Sequence, residues 1–288
     1  MSGADKVWTP LELVRWTTDY FREHGVSQAR LDAELLLAHA LGAKRLDLYT
    51  DFERVVSEAE RSGFREHVRA RAQERIPVAY LTGEREFWSR RFRVTPDVLI
   101  PRPETELLVR VASELRPSRI AEIGVGSGAV IGALGLELPD ASLLGVDCSA
   151  EALAVASGNI EELGLAERVE LAQGDGALGL EGPFDAVVSN PPYVSSAELE
   201  QLEPELRHEP RVALDGGSDG LDFIRRLARE VPPLLPDGHL VLEIGAGQAT
   251  QVQTLLNDAG AKEVRIFEDL AGHERVIQAR FATREGAC

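Results

Sequence analysis

Cysteine is nearly missing. The 288-residue chain has two, Cys148 and the terminal Cys288, which excludes a disulfide framework and a cysteine-built metal centre. Long apolar runs are missing too: nothing approaches the ~18 apolar residues in succession that a membrane helix needs. The first residues, Met1-Ser2-Gly3-Ala4-Asp5-Lys6, have no apolar stretch behind a basic start, so no secretory signal is expected. Positive charge is in deficit, with 31 Lys and Arg against 48 Asp and Glu and a formal net charge of −17. Proteins that grip a nucleic-acid backbone draw much of their affinity from phosphate neutralisation, so no direct nucleic-acid partner is expected. One local exception is Arg85, Arg90, Arg91 and Arg93, either a solvated hairpin face or a contact surface for a partner. What is present, 44% apolar and 27% charged residues, is an ordinary globular composition, long enough for one large domain or two modest ones. A monomeric, cytoplasmic protein with no membrane partner and no metal is the expectation.

Residues 1–75 read as a small helical domain. Thr9-Pro10-Leu11-Glu12 combines a cap, a proline suited to the first helical position and an acid able to complete a capping box. Leu11, Val14, Thr18 and Phe21 then share one face at helical spacing, and Gly25 ends the segment. Ser27 is expected to open a second helix through Leu31, Leu35 and Ala38, and Ser57 a third through Phe64 and Val68 towards Arg75. Residues 76–101 change character: Pro77, Gly83 and Pro96 punctuate the runs Val78–Leu81 and Phe92–Val94, which predicts a β-hairpin linker. From 102 to 288 strands and helices alternate. Strands are predicted around 120–123, 142–147, 169–172, 184–189 and 239–244, with a closing pair at 263–267 and 275–279. Such alternation gives an α/β, mostly parallel, doubly wound sheet with its site at the carboxyl ends of the strands.

Four strand ends carry polar signals. The first runs into Glu122-Ile123-Gly124-Val125-Gly126-Ser127-Gly128, where a ligand can approach backbone that a Cβ would block. Asp147 ends the next strand and suits two ribose hydroxyls. A nicotinamide dinucleotide would also fit that much. However, Ala129 stands where such loops place a third glycine against a pyrophosphate; S-adenosylmethionine has no phosphate and needs no such glycine. Asp175, before Gly176, is either an acceptor for an adenine amino group or a turn residue. After a fourth strand comes Asn190-Pro191-Pro192-Tyr193. Its prolines stiffen the backbone, leaving the Pro191 carbonyl and the Asn190 side chain as fixed acceptors. Together they can take both hydrogens of a planar NH₂ group, freeing its lone pair, while the Tyr193 ring stacks on the flat group. No metal or strong base is needed; preorganised electrostatics and alignment suffice.

In this order the glycine loop, Asp147, Asp175 and Asn190–Tyr193 resemble a class I S-adenosylmethionine-dependent methyltransferase acting on planar amino groups. Further blocks narrow the resemblance: Ile100-Pro101-Arg102-Pro103-Glu104-Thr105-Glu106, Glu209-Pro210, Ala213-Leu214, Gly216-Gly217, Leu242-Glu243-Ile244-Gly245 with Gln248, and Asp269–Gly272 with Arg275. Over nearly the whole chain these are similar to the release-factor glutamine N5-methyltransferase (HemK-like) family. The resemblance implies a Rossmann-like, seven-stranded, mostly parallel sheet behind a small all-helical domain and a hairpin linker. It also implies methyl transfer from S-adenosylmethionine, leaving S-adenosylhomocysteine, to the glutamine amide of the Gly-Gly-Gln motif in class 1 peptide chain release factors. On the same basis Glu122, Gly124, Val125, Gly126, Ser127, Gly128, Asp147, Asp175 and Gly176 would hold the cofactor, with Asn190 near its methionine part. Asn190, Pro191, Pro192 and Tyr193 would bind the glutamine and carry catalysis, Arg102 and Glu104 would assist with substrate, and the helical domain would grip the release factor.

The chain departs from that pattern at several points. Glu122 and Val125 stand for the commoner Asp and Thr, which preserves the local chemistry. Gly176 stands where an aromatic residue often packs on adenine, so the affinity is lower or another side chain fills the gap. His208 replaces a Phe and reads as a packing or surface variant. Glu243–Gln248 mimics a second cofactor loop but reads as the turn after a sheet strand. The alternatives are a methyltransferase for a ribosomal-protein glutamine, one for the exocyclic amine of a nucleic-acid base, which would want a basic groove, and a binding protein that retains the fold.

Overall fold

Thr9 caps the first helix, Pro10–Glu23, in a full capping box with Glu12. The computed structural model describes residues 7–51 and 53–282; the Met1–Lys6 segment read for a signal and the terminal Cys288 lie outside them. Val14, Thr18 and Phe21 are buried as expected, joined by Leu13 and Thr17, whereas Leu11 is only half-buried. The second helix, Ala29–Ala40, has Gln28 rather than Ser27 at its cap. Its innermost face is Ala33, Leu36 and Leu37, while Leu31 and Leu35 are half-buried. Charge pairing turns the helix this way, because Asp32 and Glu34 are buried as well. Glu34 takes Arg30 at 2.9 Å, Arg45 at 2.8 Å and the Tyr49 hydroxyl. Asp32 takes Arg71 at 2.8 Å. A buried carboxylate without such partners would shift its pKa or unfold the site.

Ser57 opens the helix Glu58–Arg69 with a second capping box, and a π-helical turn, Ala70–Glu74, continues it. Arg71 on that turn reaches Glu205 at 2.7 Å, and Arg75 reaches the same carboxylate at 2.6 Å. Accordingly the first compact unit comprises Met1–Gly83 together with Pro204–His208. The run Val78–Leu81, expected as a strand, is a helical turn, Val78–Thr82, preceded by Pro77 and closed by Gly83 at φ 75°.

The second unit, Glu84–Glu203 and Glu209–Cys288, opens with an antiparallel hairpin of β1 (Glu84–Phe87) and β2 (Arg90–Arg93). The hairpin is thus narrower than the 76–101 segment expected for it. Its two turn residues, Trp88 and Ser89, have φ of 51° and 55°, the mirror-image turn that matches strand twist. Trp88 is held there by two 2.8 Å bonds, its backbone N–H to Glu106 and its indole N–H to Glu137.

Seven strands follow: β3 (Arg119–Ile123), β4 (Ser142–Asp147), β5 (Val169–Gln173), β6 (Ala186–Ser189), β7 (His239–Glu243), β8 (Glu263–Glu268) and β9 (Glu274–Arg280). They form one sheet in the order β5-β4-β3-β6-β7-β9-β8. Pairing is parallel from β5 to β7, and β9 runs antiparallel to both of its neighbours. Side chains alternate between two cores: Ile120, Val188 and Val241 on one face, Ala121, Val187 and Leu240 on the other. The helices Glu106–Glu114, Ala129–Glu137 and Ala150–Glu162 cover the first face, and Asp222–Glu230 and Ala249–Asp258 the second. With both faces covered, the strands read as continuous apolar runs, each fully buried Val, Leu or Ile contributing about 1.5–3 kcal/mol. Strand order reverses at β3, whose neighbours β4 and β6 come later in the chain. Ligands bind at such a switch point, outside the carboxyl ends of the strands. Among the described residues no helix is long and apolar enough to cross a membrane.

Candidate active site

At that switch point lies a cavity of about 770 Å³, large enough for a nucleoside-sized ligand. One wall is the turn after β3, where Gly124, Gly126 and Gly128 have φ of 81°, 53° and 78°, a left-handed conformation that other residues adopt at a cost. The Gly126 N–H donates to Asp147 Oδ2 at 2.8 Å, and the Ser149 N–H donates to Oδ1 at 3.0 Å. The β4 carboxylate therefore fixes the loop while lining the cavity itself. A residue the sequence reading did not single out, Asn159, anchors the same glycine turn without lining the cavity. Buried on the helix Ala150–Glu162, it donates to the carbonyls of Ser127 at 2.7 Å and Arg93 at 2.9 Å, and accepts from the Arg93 N–H at 2.8 Å. Its signal was a single amide among the apolar positions of an otherwise ordinary helix.

Glu122 also lines the cavity at 2% exposure, and its Oε2 has no hydrogen-bond partner among the described residues. Burial holds this carboxyl well above the ordinary range; the Ile131 N–H partly offsets that, and the nearby Asp147 adds to it. A cationic ligand group would reverse the balance.

The far end of the cavity answers the question raised by Gly176. A Cβ built there would lie 2.9 Å from the Arg226 guanidinium carbon and 2.8 Å from Glu230 Oε2. The space beside Gly176 is therefore filled by Arg226, which sequence reasoning missed. Arg226 is braced by Glu230 at 2.7 Å, donates to Asp175 Oδ1 at 2.6 Å and lies 5.9 Å over the Phe223 ring. The Asp175 carboxylate, expected to meet an adenine amino group, thus has one oxygen engaged by Arg226.

The loop after β6 is held from every side. The Ser189 hydroxyl donates to the Ile123 carbonyl at 2.6 Å, joining its start to β3. The Val194 N–H donates to the Leu214 carbonyl at 3.0 Å, and the Gly216 N–H returns to Val194 at 2.8 Å. At Gly216 a Cβ would lie 2.7 Å from the Pro192 carbonyl oxygen, so only glycine allows this approach. Gln248 accepts from the Gly245 N–H at 2.8 Å and donates to the Tyr193 carbonyl at 3.0 Å. The turn after β7 therefore clamps the loop. Asn190 Nδ2 donates to Thr105 Oγ1 at 3.3 Å, and the Tyr193 hydroxyl donates to Glu243 Oε1 at 3.2 Å. Neither Asn190 Oδ1 nor the Pro191 carbonyl accepts a hydrogen bond from a described residue, and both residues line the cavity.

Of the predicted site residues, Glu122, Gly124, Val125, Gly126, Ser127, Asp147, Asp175, Gly176, Asn190, Pro191, Pro192 and Arg102 come together around this one cavity. Gly128, Tyr193 and Glu104 do not form its wall. Gly128 sits against Ala156, 3.2 Å from where its Cβ would be. Tyr193, expected to stack on substrate, has its hydroxyl on buried Glu243, and Glu104 is exposed on the turn Pro103–Thr105. Arg102 is paired with buried Glu209, which also accepts from the Ile100 N–H at 3.0 Å. His208 is engaged elsewhere, its Nε2 on the Glu74 carbonyl at 2.8 Å.

Two family models match the chain: the PrmC N-terminal domain over residues 12–83 and the methyltransferase small domain over residues 103–217. The release factor glutamine methyltransferase of Rhodopirellula baltica is 45% identical over 98% of this chain and 99% of its own length. That of Geobacter sulfurreducens is 42% identical over 97% and 99%. Among solved structures, the hMettl16 catalytic domain in complex with a MAT2A 3′UTR hairpin aligns with a TM-score of 0.57 at 14% identity, covering 82% of this chain and 86% of that one. At that identity the likeness speaks for the fold alone.

Proposed function

This chain belongs to the release factor glutamine methyltransferase family, and on that premise we propose that it methylates the side-chain amide nitrogen (N5) of a release-factor glutamine. The substrate would be the Gly-Gly-Gln glutamine of class 1 peptide chain release factors, with the helical unit and the Arg90–Arg93 strand as docking surfaces. The observation that carries this reading is the pair of unengaged acceptors, Asn190 Oδ1 and the Pro191 carbonyl, on a rigid loop lining the cavity.

The cavity suits S-adenosylmethionine. Buried Glu122 has an orphaned oxygen, which matches a cationic amino group. Asp147 would accept from ribose hydroxyls. No atom lies within 4 Å of where a Cβ would stand at Gly124 or Gly126, leaving room for a ligand against the backbone. Arg226 and Phe223 would face the adenine, the guanidinium offering its flat side. When bound, the cofactor supplies an electrophilic methyl group on a positively charged sulfur. Asn190 and Pro191 would each accept one hydrogen of the substrate NH₂. That withdraws the nitrogen lone pair from amide resonance and aims it into the cavity, catalysis by alignment and preorganised electrostatics. Ser189, Gly216 and Gln248 keep those acceptors from relaxing.

Methyl transfer from labelled S-adenosylmethionine to three substrates tests the proposal: a release factor, the same factor with its Gly-Gly-Gln glutamine replaced, and duplex DNA. Label on the intact factor alone is expected. Label on DNA, or equal label on the replaced factor, would refute the substrate assignment. Asn190→Ala should lose most turnover with its fold intact, by about 10²–10³-fold if the acceptor acts as oxyanion-hole donors do.

A further inference from the structure

The turn after β5 is gripped by two side chains of one helix. Arg226 and Glu230 stand four residues apart on Asp222–Glu230 and so share a face. Arg226 Nη1 donates to Asp175 Oδ1 at 2.6 Å, and its Nη2 to the Asp175 carbonyl at 2.5 Å. Glu230 closes the ring with both oxygens: Oε1 accepts from Arg226 Nε at 2.7 Å, and Oε2 from the Ala177 N–H at 3.0 Å. Only glycine at 176 permits this, since a Cβ there would stand 2.9 Å from Arg226 Nη2 and 2.8 Å from Glu230 Oε2. Asp175, Gly176, Phe223 and Arg226 line the cavity, and Glu230 does not. No described residue donates to Asp175 Oδ2.

We propose that Glu230 is a positioning residue that makes this end of the cavity selective for a base bearing an exocyclic amino group. The proposal rests on the reading above that the adenine of S-adenosylmethionine lies beside Gly176. A carboxylate oxygen only accepts, so Asp175 Oδ2 attracts an amino group and repels a carbonyl at the same place on the base. Arginine works the other way, with five N–H donors and no acceptor. A guanidinium free to turn would offer one of those donors to a carbonyl and cancel the selection. Glu230 removes that freedom. Three of the five N–H groups are committed, one to Glu230 and two to Asp175, which leaves the flat side of the group for the base. The bond from the Ala177 N–H holds the turn itself, so that Oδ2 keeps its direction.

An amide of the same shape cannot do both. Glutamine at 230 would have one oxygen for two donors, and its NH₂ would meet either the Arg226 Nε–H or the Ala177 N–H donor to donor. The side chain of Arg226 would then be loosened from the turn, or the turn from the helix.

The test uses the full chain and two ligands: S-adenosylhomocysteine and its inosine counterpart, in which a carbonyl oxygen replaces the 6-amino group. Calorimetric Kd values are measured for the wild type, Glu230→Gln and Arg226→Lys. In the wild type the adenosine ligand should bind about ten to a hundred times more tightly, the scale of one hydrogen bond to a charged group. Glu230→Gln should cut that ratio about tenfold, weakening the adenosine ligand while the inosine ligand binds as before or more tightly. Arg226→Lys keeps the charge but loses the planar fork that reaches Glu230 and Asp175 together, and should cut the ratio likewise. A merely structural pair on the helix surface would weaken both ligands alike and leave the ratio where it was. An unchanged ratio in either variant would therefore overturn the proposal, as would a wild type that binds the two ligands equally; the cofactor and substrate assignments would stand. A wild type that binds neither ligand would overturn the cofactor assignment and the proposal together.

Discussion

The side-chain amide of Gln248 donates to the Tyr193 carbonyl at 3.0 Å, joining the turn after β7 to the catalytic loop after β6. The same side chain accepts from the Gly245 N–H, so it is held at both ends. Gln248→Leu keeps the volume and removes both bonds. Leaving two polar backbone groups without partners costs about 1–3 kcal/mol, which thermal unfolding would register. Turnover should fall by about one to two orders of magnitude as the loop loosens. A variant with lower stability but unchanged kcat would show that the clamp does not tune the acceptors.

Asp147 would act twice, on the glycine loop through Gly126 and Ser149 and on the cofactor. Asp147→Ala removes charge-assisted hydrogen bonds worth about 1.5–3 kcal/mol each. Titration calorimetry should show S-adenosylhomocysteine binding weakened by roughly a hundredfold or more. Wild-type affinity would remove Asp147 from the binding site.

Arg226 should matter for affinity rather than for chemistry. Arg226→Ala deletes a guanidinium that lies over Phe223 and against Gly176, and the Kd for S-adenosylhomocysteine should rise about tenfold, a typical cation–π loss. At saturating cofactor kcat should change little. A large loss of kcat with intact affinity would move Arg226 from the cofactor end of the cavity to the reaction.

Glu243 also makes a stability prediction. Its folded-state pKa of about 7 lies above the ordinary 4.5, so between those values the folded chain keeps a proton that the unfolded chain has released. Its contribution to stability therefore falls as pH rises through that window, by up to about 1.4 kcal/mol per unit. Glu243→Gln should melt higher than the wild type at pH 8 or so and lose that advantage near pH 4. Equal melting temperatures across the range would contradict the raised pKa.

In the first unit, Arg71 holds both Asp32 and Glu205 with 6% of its side chain exposed. Arg71→Leu would strand Asp32 and leave Glu205 to Arg75, and breaking such a buried pair typically costs about 3–5 kcal/mol. A fall in melting temperature of that scale is expected; an unchanged one would mean the cluster contributes nothing net.

Much of the fold was legible because it is written in local periodicity. The strands ending at Ile123, Asp147 and Ser189 are apolar runs stopped by glycine, acid or proline, and the capping boxes at Thr9 and Ser57 are spacings of three residues. Where the reading slipped, local pattern competed with distant charge. The second helix turns Leu31 and Leu35 outward because Asp32 and Glu34 meet arginines and a tyrosine from other elements. Val78–Leu81 has strand-like composition but sits between Pro77 and a left-handed Gly83, and becomes a helical turn.

The sequence by itself determined the residues that can do chemistry: the glycine loop, the strand-end acids and the Asn-Pro-Pro loop, each set by its own backbone constraint. Only the tertiary structure decided how those residues are held, because Arg226, Asn159, Gln248 and Glu243 act across gaps of 50 or more residues from Asp175, Arg93 and Tyr193. No spacing rule reaches that far. Strand order brings such residues within hydrogen-bond distance, and burial then makes each of those bonds count, since a polar group left without a partner there has no water to turn to.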